Sequence, residues 1–380
     1  MVSVADVLRV HAPAIISTLS TSQQKVISVI MRCRTGQLGG VHYRCSGCGL
    51  EHWVGRSCGN RHCTSCGHEK TQVWIEKQRA KLMPVHHFLV TFTVPRELGL
   101  VLRDCSEAER RDGYRCLFDS SAQSIRDVGA ATKSLKGCQL GFFGVLHTWG
   151  RDLQTYHPHI HYVVPGGGIK VDEHGQAISW QQTPKNFLFN HSTLIRVYKA
   201  KLADELRSAG LYSLVPSEAW SQKFVVDIQP VGHGVPTLKY LAPYVHRVAI
   251  SDKRILKADE TNVAYSVTPS KQKRSITRYV TGEQFVRGFA QHVLPSGFQK
   301  IRHYGWMSSN SRIKLDEVKW LVWLSLGWTF WLASGHAPQQ EPLTTALLCA
   351  ECGGELQVIE VTYVPTHVRT DQTLGYFDSG

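Results

Sequence analysis

His157-Pro158-His159-Ile160-His161-Tyr162-Val163-Val164-Pro165-Gly166-Gly167-Gly168 is the stretch on which the reading of this chain turns. Side chains at i and i+2 of a strand point to one face, so His159 and His161 offer two imidazoles to a single metal ion. His157 falls on the same face, although Pro158 makes the start of the strand irregular. A second element raises the interest of the first. In Lys239-Tyr240-Leu241-Ala242-Pro243-Tyr244-Val245-His246-Arg247 two tyrosines lie at i and i+4. On a helix that spacing places their Cβ atoms about 5–6 Å apart, so both hydroxyls reach one point, while Pro243 forces a kink.

Outside these motifs the chain reads as a globular protein with a polyanionic partner. Its 380 residues are enough for two or three units around substantial cores, and 42% hydrophobic content excludes a disordered chain. The net charge is +13 and the pI about 9.3, with Lys253-Arg254, Lys257 and the run from Lys271 through Lys273 and Arg274 to Arg278 adding local density. Eleven cysteines in a chain that opens without a charged, apolar leader read as reduced thiols holding metal. The most apolar run, Trp320 to Ala333, is interrupted by Ser325 and Gly327 and is shorter than the roughly 20 residues of a bilayer span. It reads as a buried helix, and the expected location is the cytoplasm of a bacterium, on the nucleoid.

Cys45-x2-Cys48 and Cys63-x2-Cys66 form a strong zinc signature, because each knuckle presents two thiolates and tetrahedral zinc takes four. Cys33, His42, Cys58 and His62 suit a second tetrahedral site, with His52 and His68 as substitutes, so one or two Zn²⁺ ions are expected. Closed four-ligand sites are structural rather than catalytic. Arg44, Arg56, Arg61 and Lys70 on such a ribbon suit docking on DNA. Cys349-x2-Cys352-Gly353-Gly354 resembles a third knuckle without a partner pair, which His336 and His367 would complete.

Several further stretches are Cys33-Arg34-Thr35, Leu38-Gly39-Gly40, Phe92-Thr93-Val94-Pro95, Leu146-His147-Thr148-Trp149-Gly150 and Arg302-His303-Tyr304-Gly305. Together with the HUH strand, in which two histidines flank a hydrophobic residue, and the Tyr-x3-Tyr, their order resembles the HUH endonucleases. In particular it is similar to the two-tyrosine rolling-circle transposases of the insertion sequence ninety-one family. The resemblance runs through nearly the whole chain and departs from the family pattern at Pro243.

What the resemblance implies is concrete. A tyrosine, Tyr240 or Tyr244, attacks a phosphodiester of single-stranded or hairpin DNA at a transposon end. A cation held by His159 and His161, Mg²⁺ or Mn²⁺, polarises the phosphate. A third ligand is expected from His147, His246 or His157, with His147 first because related initiators place a metal-binding carboxylate near that point. DNA contacts are expected from Arg61, Arg247, Lys271, Lys273 and Arg274. The product is a 5′-phosphotyrosine and a free 3′-OH, passed on to target DNA. Trp149, Tyr156, Tyr162, Tyr304 and Trp306 are candidates for base stacking, at most two of them in that role. No GxxxxGK[ST] is present, so strand separation falls to a host helicase or the replication machinery. The rivals are an HUH replication initiator or relaxase, and a non-catalytic zinc-dependent DNA-binding regulator.

The expected fold class is α+β, an antiparallel HUH sheet with helices and an N-terminal Cys/His zinc module. Three regions follow: residues 1–84, helical and zinc-binding; 85–310, the nuclease; 311–380, helical with the last CxxC. Helical spacing covers residues 4 to 32 with a break at Pro13, and also 70–82, 107–128, 191–209 and 311–334. Strands are expected at 88–94, 140–149, 159–164, 223–228 and 262–267, with Leu140 to Trp149 beside His159 to Val164.

Overall fold

The computed structural model describes residues 2–79, 81–233, 249–269, 272, 274–327 and 347–364. The expected Tyr240–Tyr244 helix, His246, Arg247, Lys271, Lys273, His336 and His367 lie outside the described residues.

Helices α1 (Val4–His11) and α2 (Thr21–Met31) open the chain, each started by a reciprocal cap, Ser3 with Asp6 and Ser20 with Gln23. Pro13 separates them, as the break in spacing predicts. Strands β1 (Gly40–Cys45) and β2 (Glu51–Gly55) make a ribbon, followed by α3 (Thr64–Arg79). Then come β3 (His86–Thr93), α4 (Arg96–Asp104) and the long α5 (Glu107–Ala131), capped by Ser106 and Glu109. The middle of the chain supplies β4 (Cys138–Gln139), β5 (Phe142–Trp149), β6 (Tyr156–Pro165), β7 (Gly167–Val171) and β8 (Ala177–Gln182). After α6 (His191–Ser208) and the short α7 (Ser217–Ser221) come β9 (Val225–His233), β10 (Ile255–Ala258), β11 (Asn262–Val267) and β12 (Ile276–Thr281). The last described elements are α8 (Gly282–Ala290), β13 (Ile301–Tyr304), α9 (Leu315–Leu326) and β14 (Leu356–Val361). The mixture of helices and antiparallel sheets is the expected α+β class.

The centre is a five-stranded sheet in the order β13-β5-β6-β3-β9, and every pairing in it is antiparallel. Alternation sorts its side chains. Phe88, Val90 and Phe92 of β3 and Tyr156, Ile160 and Tyr162 of β6 point to one face, where Tyr114, Phe118, Ile125, Tyr198 and Leu202 of α5 and α6 cover them. Burying this many aromatic and aliphatic side chains, each worth about 1.5–3 kcal/mol, fixes which face of β6 looks inward. A one-residue slip would put the histidines into that core.

The opposite face is divided. At one end Leu89, Phe143, Val145 and Val163 pack with Trp180, Trp306, Val318 and Val322. The apolar run from Trp320 is not buried as a whole: Val322 is buried, Trp320 and Leu324 are exposed, and residues 328–333 lie outside the described residues. At the other end Trp149 and Leu153 join a cluster that includes Val4, Leu8, Ile27 and Ile30 from the first two helices. Tyr265, Phe285 and Phe289 belong to it as well, and so do Cys33, Cys63 and Cys66. Packing therefore crosses residue 84. Gly282 shows how close the approach is, since a Cβ there would lie 1.9 Å from His11 Nδ1.

One expectation needs revision. The region after 311 is not helical throughout, because β14 pairs antiparallel with β1, completing a β14-β1-β2 sheet beside the N-terminal knuckle. Local periodicity at residues 356–361 carries no information about a partner strand some three hundred residues earlier. The proposed base stackers are mostly core: Tyr156, Tyr162 and Trp306 are buried, Tyr162 donating or accepting with Ser121, and Tyr156 with Tyr114. Tyr304 stacks on Phe142, ring centroids 5.1 Å apart.

Candidate metal centre

Strand pairing, not sequence proximity, assembles the histidines. His147 of β5 stands directly opposite His159 of β6, and Thr91 of β3 opposite His161. The ligand nitrogens of His147, His159 and His161 all lie within 4.8 Å of one another. The first-ranked third ligand is thus beside the HUH pair. His157 is not in this group, and the ladder is irregular beside it. Between the pairs His147–His159 and Trp149–Tyr156, β5 advances two residues while β6 advances three, which is a bulge at His157-Pro158. Proline has no N–H to give the ladder, and His157 remains beside the cluster, its ring centroid 5.1 Å from that of His159.

Hydrogen bonds fix how two of the rings present themselves. His159 Nδ1 lies 2.6 Å from the carbonyl oxygen of His157, which can only accept, so Nδ1 carries the proton and Nε2 its lone pair. His161 Nδ1 is 2.8 Å from the Thr91 hydroxyl across the sheet, a contact that holds the ring in place. Such partners of the second nitrogen orient metal-binding imidazoles. Trp149 stacks on His147 at 5.2 Å between centroids and 18° between planes, and Lys300 sits 4.5 Å over the Trp149 ring.

The electrostatics favour ligand-ready rings. Burial holds His159 and His147 well below the usual histidine range, with the neighbouring imidazoles adding to the effect. His161 is pushed down to about 4, again chiefly by burial and then by His157. All three are neutral at neutral pH, the form in which imidazole binds metal. Three neutral imidazole nitrogens are a donor set that would fit Mn²⁺, and Mg²⁺ if water and phosphate oxygens completed its shell.

The cysteines form two tetrads, divided differently from the expectation. Cys33, Cys58, Cys63 and Cys66 form one, with Sγ–Sγ separations of 3.6 Å for Cys33–Cys66 and 3.7 Å for both Cys58–Cys66 and Cys33–Cys63. Four sulfurs at about 2.3 Å from a tetrahedral zinc stand roughly 3.8 Å apart, so the set fits Zn²⁺. Shared protons bring Cys33 down to about 7, the Cys58 side chain being the largest cause, and Cys66 lower still, chiefly through Cys33.

Cys45 and Cys48 do not meet Cys63 and Cys66; their sulfurs face Cys349 and Cys352. His42 and His62 belong to neither tetrad. His42 pairs with Glu51 at 3.1 Å across the ribbon, and buried His62 accepts the Leu294 backbone N–H at 3.4 Å. Loop closure decided this division, and spacing alone held no trace of it.

Arg61 also departs from its expected place. Its guanidinium donates to the carbonyls of Phe298 and Pro295 at 2.6 and 3.1 Å, and burial lowers its pKa. It ties the cysteine loop to the segment leading into β13. Arg274, by contrast, is exposed at the entrance to β12. Thr91 was not singled out from sequence, and its neighbour motif Phe92-Thr93 gave no sign of the partner across the sheet. No helix among the described residues is long and apolar enough to cross a membrane.

Comparison with known proteins agrees with this layout. Residues 141–314 match a family profile described as "Putative transposase", and residues 7–94 match a "Transposase zinc-binding domain". The first spans the strands carrying all three histidines, and the second the whole first tetrad. No solved structure matches the chain. A protein of Sinorhizobium fredii titled "Putative transposase y4qJ" is 31% identical over 85% of this chain and 85% of its own length. The transposase for insertion sequence element IS801 of Pseudomonas savastanoi pv. phaseolicola is 23% identical over 75% of this chain and 70% of its own. The chain belongs to the insertion sequence ninety-one family of transposases.

Proposed function

We propose that this transposase cuts and rejoins single-stranded DNA by rolling-circle transposition, with Tyr240 and Tyr244 as nucleophiles beside the His147, His159 and His161 cluster. The observation that carries the reading is the convergence of three neutral imidazoles on one point of an otherwise buried sheet face, the His159 lone pair set on Nε2 by its hydrogen bond to a carbonyl. A bound Mg²⁺ or Mn²⁺ would neutralise charge on the non-bridging oxygens of the scissile phosphate.

A tyrosine oxygen bonds to phosphorus as the bond to the 3′ oxygen breaks; the phenol proton is lost and the leaving oxygen gains one. The products are a 5′-phosphotyrosine and a free 3′-OH. The phosphoester's free energy is retained, so rejoining needs no nucleotide triphosphate. The second tyrosine, or the freed 3′-OH, then resolves the other end and joins target DNA. Both tyrosines lie outside the described residues, so their support is the Tyr-x3-Tyr spacing and the family.

The partners in this reading are single-stranded and hairpin DNA at the element's ends, target DNA and a host helicase or replication fork, in the bacterial cytoplasm at the nucleoid. Arg247, Lys271, Lys273 and exposed Arg274 supply backbone contacts, giving salt-dependent affinity. The test is to mix the protein with labelled single-stranded end DNA and Mn²⁺ and run a denaturing gel. A shifted covalent band is expected, surviving in at least one of Tyr240→Phe and Tyr244→Phe and vanishing in the double variant. No adduct in the unmodified protein, on end DNA it binds, refutes the reading and favours a DNA-binding regulator. Equal cutting at a plasmid origin favours an initiator.

A further inference from the structure

The knuckle at Cys349 and Cys352 lies outside both matched regions, yet it does not stand alone. Cys45 Sγ is 3.3 Å from Cys352 Sγ, and Cys48 Sγ is 3.8 Å from Cys349 Sγ, with all four within 4.8 Å of one another. The second of these matches the roughly 3.8 Å of a tetrahedral zinc tetrathiolate and the first lies about 0.5 Å below it.

The surroundings are those of thiolates. The Gly47 N–H points at Cys45 Sγ at 3.3 Å, and the Gly354 N–H at Cys352 Sγ at 3.4 Å, the same two-residue relation in each knuckle. His52 Nε2 adds a contact of 3.3 Å to Cys349 Sγ. The glycines also explain how the knuckles come together. A Cβ on Gly354 would lie 2.9 Å from Cys45 Sγ, and one on Gly47 3.3 Å from Cys352 Sγ, so each knuckle's glycine makes room for the other's sulfur.

A second set of contacts serves the same junction. Gly40 and Thr362 exchange backbone hydrogen bonds at 3.2 and 2.9 Å. Gly39, at φ +87°, leaves space for the Thr362 carbonyl, which a Cβ would meet at 2.1 Å. Little apolar burial helps: Trp53, Val54, Val358 and Ile359 on this sheet, and Leu348 and Tyr363 beside it, are all exposed. A three-stranded sheet with so little core needs another source of stability.

We infer that Cys45, Cys48, Cys349 and Cys352 form a second, structural Zn²⁺ site that clasps the C-terminal strand to the N-terminal ribbon. Four thiols lose four protons to solvent as the ion binds, leaving a dianionic centre that the two glycine N–H groups and His52 offset. The ligands of each pair are 301 residues or more apart, so the ion closes a loop that includes the whole catalytic sheet. The C-terminal segment thereby becomes part of the zinc-binding unit.

Full-length protein loaded with zinc tests this in two ways. Metal analysis should give two zinc ions per chain, falling to one in Cys349→Ser/Cys352→Ser. The count should fall to the same one in Cys45→Ser/Cys48→Ser and in the variant combining all four changes. The second arm needs no variant. Cys48 and Cys352 are solvent-exposed, so without metal they alkylate readily. With zinc, Cys45, Cys48, Cys349 and Cys352 should be protected together and released together as a chelator is raised, while Cys138 reacts throughout. Two zinc ions retained in Cys349→Ser/Cys352→Ser would overturn the inference, as would Cys349 and Cys352 reacting as fast as Cys138 in zinc-loaded protein.

Discussion

Replacing Thr91 with valine is the sharpest probe of the three-histidine centre, because it removes one oxygen and almost nothing else. Both residues are β-branched and suit the strand, so β3 should hold its register. What is lost is the 2.8 Å contact with His161 Nδ1. A net hydrogen bond of this kind is worth about 1 kcal/mol, and loss of a partner that orients a metal-binding imidazole weakens metal affinity about 10–100-fold. The lower end applies, since packing against β3 and β5 still restrains the ring; the expectation is about tenfold, or about 1.4 kcal/mol. The assay is Mn²⁺ binding followed by the loss of the free-ion paramagnetic resonance signal, alongside the Mn²⁺ dependence of single-strand cleavage. Thr91→Val should need about ten times more Mn²⁺ but reach a similar rate at saturation, and Thr91→Ser should restore the affinity. If Thr91→Val binds Mn²⁺ within twofold of the unmodified protein, the hydroxyl does not orient His161 and the reasoning fails.

Three other outcomes follow from the packing. Burial holds His292 at about 4, against about 6.5 for an exposed histidine, so the native state binds fewer protons than the unfolded chain. Its contribution is complete above about pH 6.5 and is lost as pH falls toward 4, at most about 3 kcal/mol. Urea midpoints of His292→Gln measured across that interval should therefore depend less steeply on pH; an unchanged slope would refute it. Gly305, at φ +58°, would bring a Cβ to 1.7 Å from the Leu140 carbonyl oxygen, so Gly305→Ala should destabilise by about 3 kcal/mol in chemical denaturation. Arg61→Ala should cost about 2 kcal/mol of stability, because two carbonyls lose a charged donor, yet leave the salt dependence of DNA binding unaltered. A reduced salt slope there would return Arg61 to the DNA interface.

Much of the fold was written in local pattern. Alternation in Tyr156–Pro165 put the aromatic residues on one face and the histidines on the other, and strands beside it were expected near where β3 and β5 lie. Period-2 and period-3.6 patterns are short-range consequences of burying one face, so a single sequence displays them. The helix ends at α1, α2 and α5 coincide with residues whose side chains satisfy backbone N–H groups within three positions.

Residue pattern alone carries the α+β class, the HxH strand, the thiolate zinc chemistry and the candidate His147. Packing of the whole chain decided which atoms meet: His147 opposite His159, Thr91 on His161, His157 next to a bulge and outside the three-nitrogen group, and Cys45 and Cys48 with Cys349 and Cys352 instead of Cys63 and Cys66. The reason is range. A CxxC spacing fixes two sulfurs on one knuckle, but the choice of the other knuckle is made by loop closure and sheet pairing across hundreds of residues. Those energies depend on the whole packed chain and leave no periodic mark at either end.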